Sequence, residues 1–172
     1  LYKVLFIPTG TPPHKDKTKV TAAELRYEMV KLAITDNPYF EISDIEIKRG
    51  GYSYTVDTLR ALKERYPDRE LYFITGTDAL RELFTWREAE TILRLAHVIG
   101  AARPGFDATE FLENVRVNHP EFLSRIHYFE VPALAISSTD IRRRVRDGKS
   151  IRYLLPEEVR LFIEKMQLYS RN

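Results

Sequence analysis

The chain has no cysteine, which excludes disulfides and thiolate metal sites and suits a reducing compartment. It has no apolar run approaching the ~20 residues of a membrane-spanning helix and no recognisable leader. A soluble, cytoplasmic protein with no membrane partner is therefore expected. Charge of one dominant sign is missing too: 27 Lys and Arg stand against 25 Asp and Glu, a formal net charge of +2. A protein that holds long nucleic acid by counterion release needs a larger basic excess, so nucleic acid is not expected as a partner and any basic site must be local. There is no internal repeat, low-complexity tract, interdomain linker or dense carboxylate cluster, and the first residue is Leu1 rather than Met.

What is present is enough for one domain with a real core: 172 residues, of which 44% are hydrophobic. Apolar, β-rich runs recur at residues 2–7, 40–47, 71–75, 96–101 and 126–131, each bounded by Gly, Pro, Asp or Asn. Helical patterns lie between them at 21–35, 55–65 and 86–95. The segment "LLPEEVRLFIEKMQLY" places Pro156 near a helix start and Val159, Phe162, Ile163 and Met166 at helical spacing, as a docking helix would. Strand then helix, repeated, predicts an α/β fold: a mostly parallel sheet with helices on both faces. Ligands of such sheets bind beyond the carboxyl ends of the strands, so the residues that follow strands carry most information.

Four stretches stand out. In "PTGTPPHK", Pro12 and Pro13 stiffen a loop and Gly10 permits a tight approach, so that His14 and Lys15 project from a preorganised turn toward a phosphate; a plain Pro-rich loop explains the same letters. "GGYSYTVDTLRAL" runs into a helix capped by Ser53 or Thr55, with Tyr54 and Thr55 where an aromatic face and free N–H groups can hold a planar anionic ring; a capped helix with a core tyrosine is the simpler reading. In "FITGTDALRELFTW", Gly76 lets a ligand approach the backbone and Asp78 either caps a helix or accepts ribose hydroxyls, while Trp86, the single tryptophan, stacks on a ring or fills the core. In "ISSTDIRRRVRDG", Ser137 or Ser138 is the expected cap. Arg142 then points back to the helix start, and Arg146 continues its face. Arg143 and Arg144 rotate away to be solvated or paired.

These stretches in this order, with "ARPG" between the last two, resemble the bacterial nicotinate-nucleotide adenylyltransferase family of the HIGH-type nucleotidyltransferases, and the resemblance spans nearly the whole chain. It implies a Rossmann-like fold and transfer of AMP from ATP to nicotinate mononucleotide, giving deamido-NAD and pyrophosphate, with Mg²⁺ brought in by ATP and no metal ligand from the chain. It implies that Ser137, Ser138, Thr139 and Arg142 hold the ATP phosphates and that His14 and Lys15 contact phosphate, these two and Arg142 being the catalytic candidates. It further implies that Tyr54, Thr55 and Trp86 surround the nicotinate, with amides near Thr55 and Trp86 reading its carboxylate. Gly76 and Asp78 would lie at the ribose and Arg103 near a phosphate.

The family's G-x-F-D-P-x-H-x-G-H pattern does not occur here, and His14, His97, His119 and His127 look too isolated to replace it. "YKVLFIPTG" resembles the family's second strand. The expectation is therefore a single nucleotidyltransferase domain over residues 1–172 whose first strand lies upstream, with C-terminal helices over 138–169 packed on it. Residues 1–172 alone are not expected to turn over. Two other readings stay open: a nicotinamide-mononucleotide adenylyltransferase, and a non-catalytic nucleotide-binding remnant.

Overall fold

The computed structural model describes residues 2–13, 20–102, 107–132 and 134–170. The chain divides into two compact units, Leu1–Ser53 with Ala135–Asn172, and Tyr54–Leu134.

In the first unit β1 (Val4–Phe6) pairs in parallel with β2 (Phe40–Ile42), in the register Val4 to Phe40 and Phe6 to Ile42. The crossover carries helix α1 (Ala23–Ile34), the βα connection that parallel pairing demands. Helices α7 (Ser138–Arg146) and α8 (Glu157–Lys165) complete the unit. Ile141, Ile151, Val159 and Ile163 form its buried core, against which Met29 and Leu32 of α1 pack. Each such side chain contributes roughly 1.5–3 kcal/mol when fully buried.

The expected strand over 40–47 is only half strand: it ends at Ile42, and Ile45–Arg49 is a short helix, α2. The alternation of Ile45 and Ile47 looks like a strand, but local turn chemistry overrides it. Ser43 Oγ accepts the Ile45 N–H at 3.3 Å, Lys48 pairs with Asp44 at 3.0 Å one turn back, and Gly50, at φ +67°, ends the helix.

In the second unit β3 (Tyr72–Gly76), β4 (His97–Ala102) and β5 (Ile126–Glu130) form a parallel sheet in that order. Tyr72 stands beside His97 and Gly76 beside Ala101. The helices are α3 (Thr55–Arg65), α4 (Thr77–Arg81), α5 (Ala89–Leu95) and α6 (Thr109–Asn118). Val56, Leu59, Leu80, Leu83, Ile92, Leu93, Val98 and Val115 fill one core. Gly100 is where α4 closes on the sheet, since a Cβ there would run into the Leu80 side chain. The third helical pattern, expected from residue 86, begins at Ala89, and α6 was not anticipated at all. No helix among the described residues is long and apolar enough to cross a membrane.

Candidate functional site

In the first unit the α7 start resolves which serine is the cap. Ser137 is extended (φ −130°, ψ 148°) and its Oγ accepts the Asp140 N–H at 3.1 Å. That capping bond occupies one orphan donor of the first turn. Ser138 and Thr139 follow, exposed, as the first helical residues.

The arginines then separate. Arg142 folds back, its Nη2 donating to Thr139 Oγ1 at 3.2 Å, as side chains three apart on a helix do. Arg144 Nε holds Asp140 Oδ2 at 2.7 Å and Arg143 holds Oδ1. The Arg144 hydrogen bond, with Arg143 behind it, keeps the Asp140 carboxyl below its ordinary range. Arg142 forms no ion pair among the described residues, so its charge stays available at the helix N-terminus.

The loop after β1 is pinned at three points. Arg26 Nη2 donates to the Gly10 carbonyl at 2.9 Å, the Ser53 N–H donates to the Thr11 carbonyl at 2.9 Å, and Gly10 lies against the Glu46 carbonyl, where a Cβ would stand 2.6 Å from the oxygen. Glycine is required here by contact, its expected tight approach being to α2. His14 and Lys15, and likewise Arg103, lie outside the described residues.

In the second unit the N-cap of α3 is Tyr54, in extended conformation, with no side-chain capping bond. The expected cap at Ser53 or Thr55 is not formed. Ser53 is tied by its N–H to Thr11, and its Oγ is buried, so it cannot turn toward the helix. Thr55 is the first helical residue. The amides of this first turn are left without a side-chain acceptor, the arrangement that favours an anion.

Trp86 is half-buried and meets Phe73 edge-on at 5.8 Å, with the core packed behind it. Its backbone N–H is spent on the Leu83 carbonyl at 3.1 Å. Gly76 caps α4 at φ −78°, with nothing among the described residues within 4 Å of an added Cβ. Asp78 follows in the first turn, exposed and not capping the helix. Gly76 is the last residue of β3 and Asp78 lies just past it, at the carboxyl end where a parallel sheet binds ligands.

Sequence reading missed the side chains that frame Tyr54. The Arg87 guanidinium stands 4.7 Å from the Tyr54 ring centre, 3.7 Å from Asp57 and 3.8 Å from Glu88. Glu88 caps α5 in a left-handed conformation (φ 54°, ψ 47°), which costs a residue other than glycine roughly 1–2 kcal/mol. Arg60 grips both Glu88 oxygens and holds its carboxyl below the usual range. The only sequence signal was the adjacency of Arg87 and Glu88 to Trp86.

Two of the four histidines are not isolated. His97 Nδ1 and His127 Nε2 are 2.9 Å apart, and Arg125 Nη1 lies 3.1 Å from His97 Nε2. Glu70 Oε1 stands 3.4 Å from the same His97 nitrogen, so Arg125, Glu70 and the two imidazoles form one polar cluster. This pair sits at the amino ends of β4 and β5, the far end from Gly76.

Known proteins give an independent measure. The sequence pattern of the family described as "Cytidylyltransferase-like" matches residues 2–144. A protein of Desulfitobacterium hafniense (strain Y51) named "Probable nicotinate-nucleotide adenylyltransferase" is 66% identical over 169 residues, covering 98% of this chain and 82% of the relative. A protein of the same name from Moorella thermoacetica is 54% identical over 171 residues, covering 98% and 78%. A solved structure, Plasmodium falciparum nicotinic acid mononucleotide adenylyltransferase complexed with NaAD, is similar with a TM-score of 0.74 at 20% identity, covering 98% of this chain and 83% of that one. At that identity the likeness is one of fold, and it makes the expected Rossmann-like α/β fold the observed one.

Proposed function

Since the chain belongs to the nicotinate-nucleotide adenylyltransferases of the cytidylyltransferase-like family, we propose that it transfers AMP from ATP to nicotinate mononucleotide. The 5′-phosphate oxygen of the mononucleotide attacks the α-phosphorus of ATP in line. The bond to the bridging oxygen breaks, and pyrophosphate leaves with its electron pair as deamido-NAD forms. No enzyme nucleophile is needed; the protein supplies alignment and positive charge. The observation that carries this reading is identity spread along the whole chain to relatives of that name, rather than any one motif.

The local geometry supports named roles. The α7 start, with Ser137 as cap and the amides of Ser138 and Thr139 beside the Arg142 guanidinium, suits the ATP phosphates. His14, Lys15 and Arg103 are assigned to phosphate by family resemblance. The uncapped α3 start at Thr55 suits the nicotinate carboxylate, with Tyr54 and Trp86 as its aromatic neighbours. The open space at Gly76 and the exposed Asp78 suit a ribose. As Trp86's own N–H is occupied, the amide that reads the carboxylate near it is assigned to Arg87.

Among the described residues no group of three or more His, Asp or Glu side chains is placed to hold a metal ion. By family resemblance Mg²⁺ is assigned to the ATP phosphates, where it would neutralise charge and keep most of its water. The absence of cysteine and of a spanning helix among the described residues supports a cytoplasmic setting.

The test is pyrophosphate release by the complete gene product with ATP and either nicotinate or nicotinamide mononucleotide, the dinucleotide identified by mass. Deamido-NAD is expected, with a higher kcat/KM for the nicotinate substrate. Equal values would remove the carboxylate assignment, and release with neither substrate would remove the function.

A further inference from the structure

We propose that the Arg87 side chain is a specificity-determining residue that selects a pyridine nucleotide bearing a carboxylate over its uncharged carboxamide counterpart; this rests on the adenylyltransferase reading above. The guanidinium sits over the ring of Tyr54, the N-cap residue of α3, and beside Asp57 in the first turn of the same helix. Arg87 thus stands, ion-paired with Asp57, beside a helix start whose amides favour an anion.

Its hydrogen-bonding capacity is not consumed there. A cation–π contact uses the charge, not the N–H donors. The contacts to Asp57 and Glu88, at 3.7 and 3.8 Å, lie beyond hydrogen-bond distance. By contrast Arg60 nearby spends donors on both Glu88 oxygens. Arg87 keeps its planar fork for a further acceptor, and a carboxylate is the group that fork matches in two parallel bonds.

The backbone holds this arrangement at a cost. Glu88 is left-handed without being glycine, and the Arg60 clamp retains it in that state. A planar ring packed on the tyrosine side of the α3 start would present a carboxylate to the guanidinium, whereas a carboxamide would offer one acceptor and bring an NH₂ against a group that only donates.

Arg87→Met keeps the stem that covers Tyr54 and removes the charge; Arg87→Lys keeps the charge and removes the fork. Steady-state kinetics with both mononucleotides are paired with titrations that follow Trp86, the only tryptophan and the adjacent residue. Arg87→Met is expected to raise KM for nicotinate mononucleotide roughly 10- to 100-fold, the range for a lost hydrogen bond to a charged group. kcat should change little, and nicotinamide mononucleotide should bind unchanged or better, so the selectivity ratio collapses. Arg87→Lys should recover part of it. A merely structural arginine would weaken both substrates equally and lower Tm in step, and an unchanged ratio in Arg87→Met overturns the proposal. If the unmutated complete gene product binds and adenylates neither mononucleotide, the adenylyltransferase reading fails first and takes this inference with it. Selective turnover by the unmutated protein with an intact ratio in the variant sinks this inference alone.

Discussion

Gly10→Ala is expected to destabilise the first unit through contact with main chain, which cannot yield as a side chain does. The new methyl would stand 2.6 Å from the Glu46 carbonyl oxygen, 3.0 Å from its carbon and 3.1 Å from Ser53 Oγ. The Glu46 carbonyl also accepts the Gly50 N–H at 3.3 Å, closing α2, so turning it away loosens that helix. If the loop moves instead, the Arg26 bond to Gly10 and the Ser53 bond to Thr11 lengthen. Overpacking of this kind costs roughly 1–3 kcal/mol, and each hydrogen bond lost adds about 0.5–1.5 kcal/mol. A total of about 2–4 kcal/mol corresponds to a fall in Tm of roughly 5–15 °C for a chain of this size.

Circular dichroism melts of the two glycine variants, Gly10→Ala and Gly76→Ala, make the comparison internal. Gly76 has an ordinary φ of −78° and nothing described within 4 Å of a Cβ. The slight disadvantage of alanine at an N-cap and the entropy removed from the unfolded chain nearly cancel, leaving a change within about 1 kcal/mol. Gly76→Ala should therefore melt like the unmutated protein while binding nucleotide less well. Equal melting of Gly10→Ala and the unmutated protein would refute the steric argument, and with it the view that α2 sets the course of the loop leading to His14 and Lys15.

Arg142→Ala should lower kcat of the complete gene product about 100- to 1000-fold, as loss of a preorganised charged donor does, while Arg143→Ala, whose partner is Asp140, should stay near the unmutated rate; equal losses would point to a diffuse basic patch. Asp140 titrates below its ordinary value when folded because of Arg144 and Arg143. A depressed carboxyl stabilises the fold above the unfolded pKa of about 4 and stops doing so as pH falls through the lower folded value. Asp140→Asn should accordingly lower Tm at neutral pH and converge with the unmutated protein as the pH falls through the lower folded value, and a gap that persists in acid would contradict the assignment.

Features that depend on near neighbours in the chain were legible before any coordinates. The α3 helix runs over the expected residues because Val56, Leu59 and Leu62 repeat on one buried face, and a serine cap at Ser137 or Ser138 with Arg142 folded back follows from spacing within one turn, the structure deciding for Ser137. The parallel strands followed from apolar runs alternating with helical patterns. Local reading failed where two local signals competed: Ile45 and Ile47 alternate like a strand, yet Ser43, Asp44 and Gly50 start and stop a helix around them.

Tertiary structure decided the contacts between residues far apart in sequence, which no window of periodicity contains. Gly10 against the Glu46 carbonyl, Ser53 tied to Thr11, and His97 2.9 Å from His127 all depend on register and crossover. The frame around Tyr54 belongs with them. Arg87 lies in no stretch the sequence singles out, and only the fold brings its guanidinium over the ring of Tyr54, with Arg60 bound to the neighbouring Glu88. Sequence determines a helix start by short-range hydrogen bonding; which charge stands over that start is set by packing, because strain at one backbone position persists only when distant partners hold it.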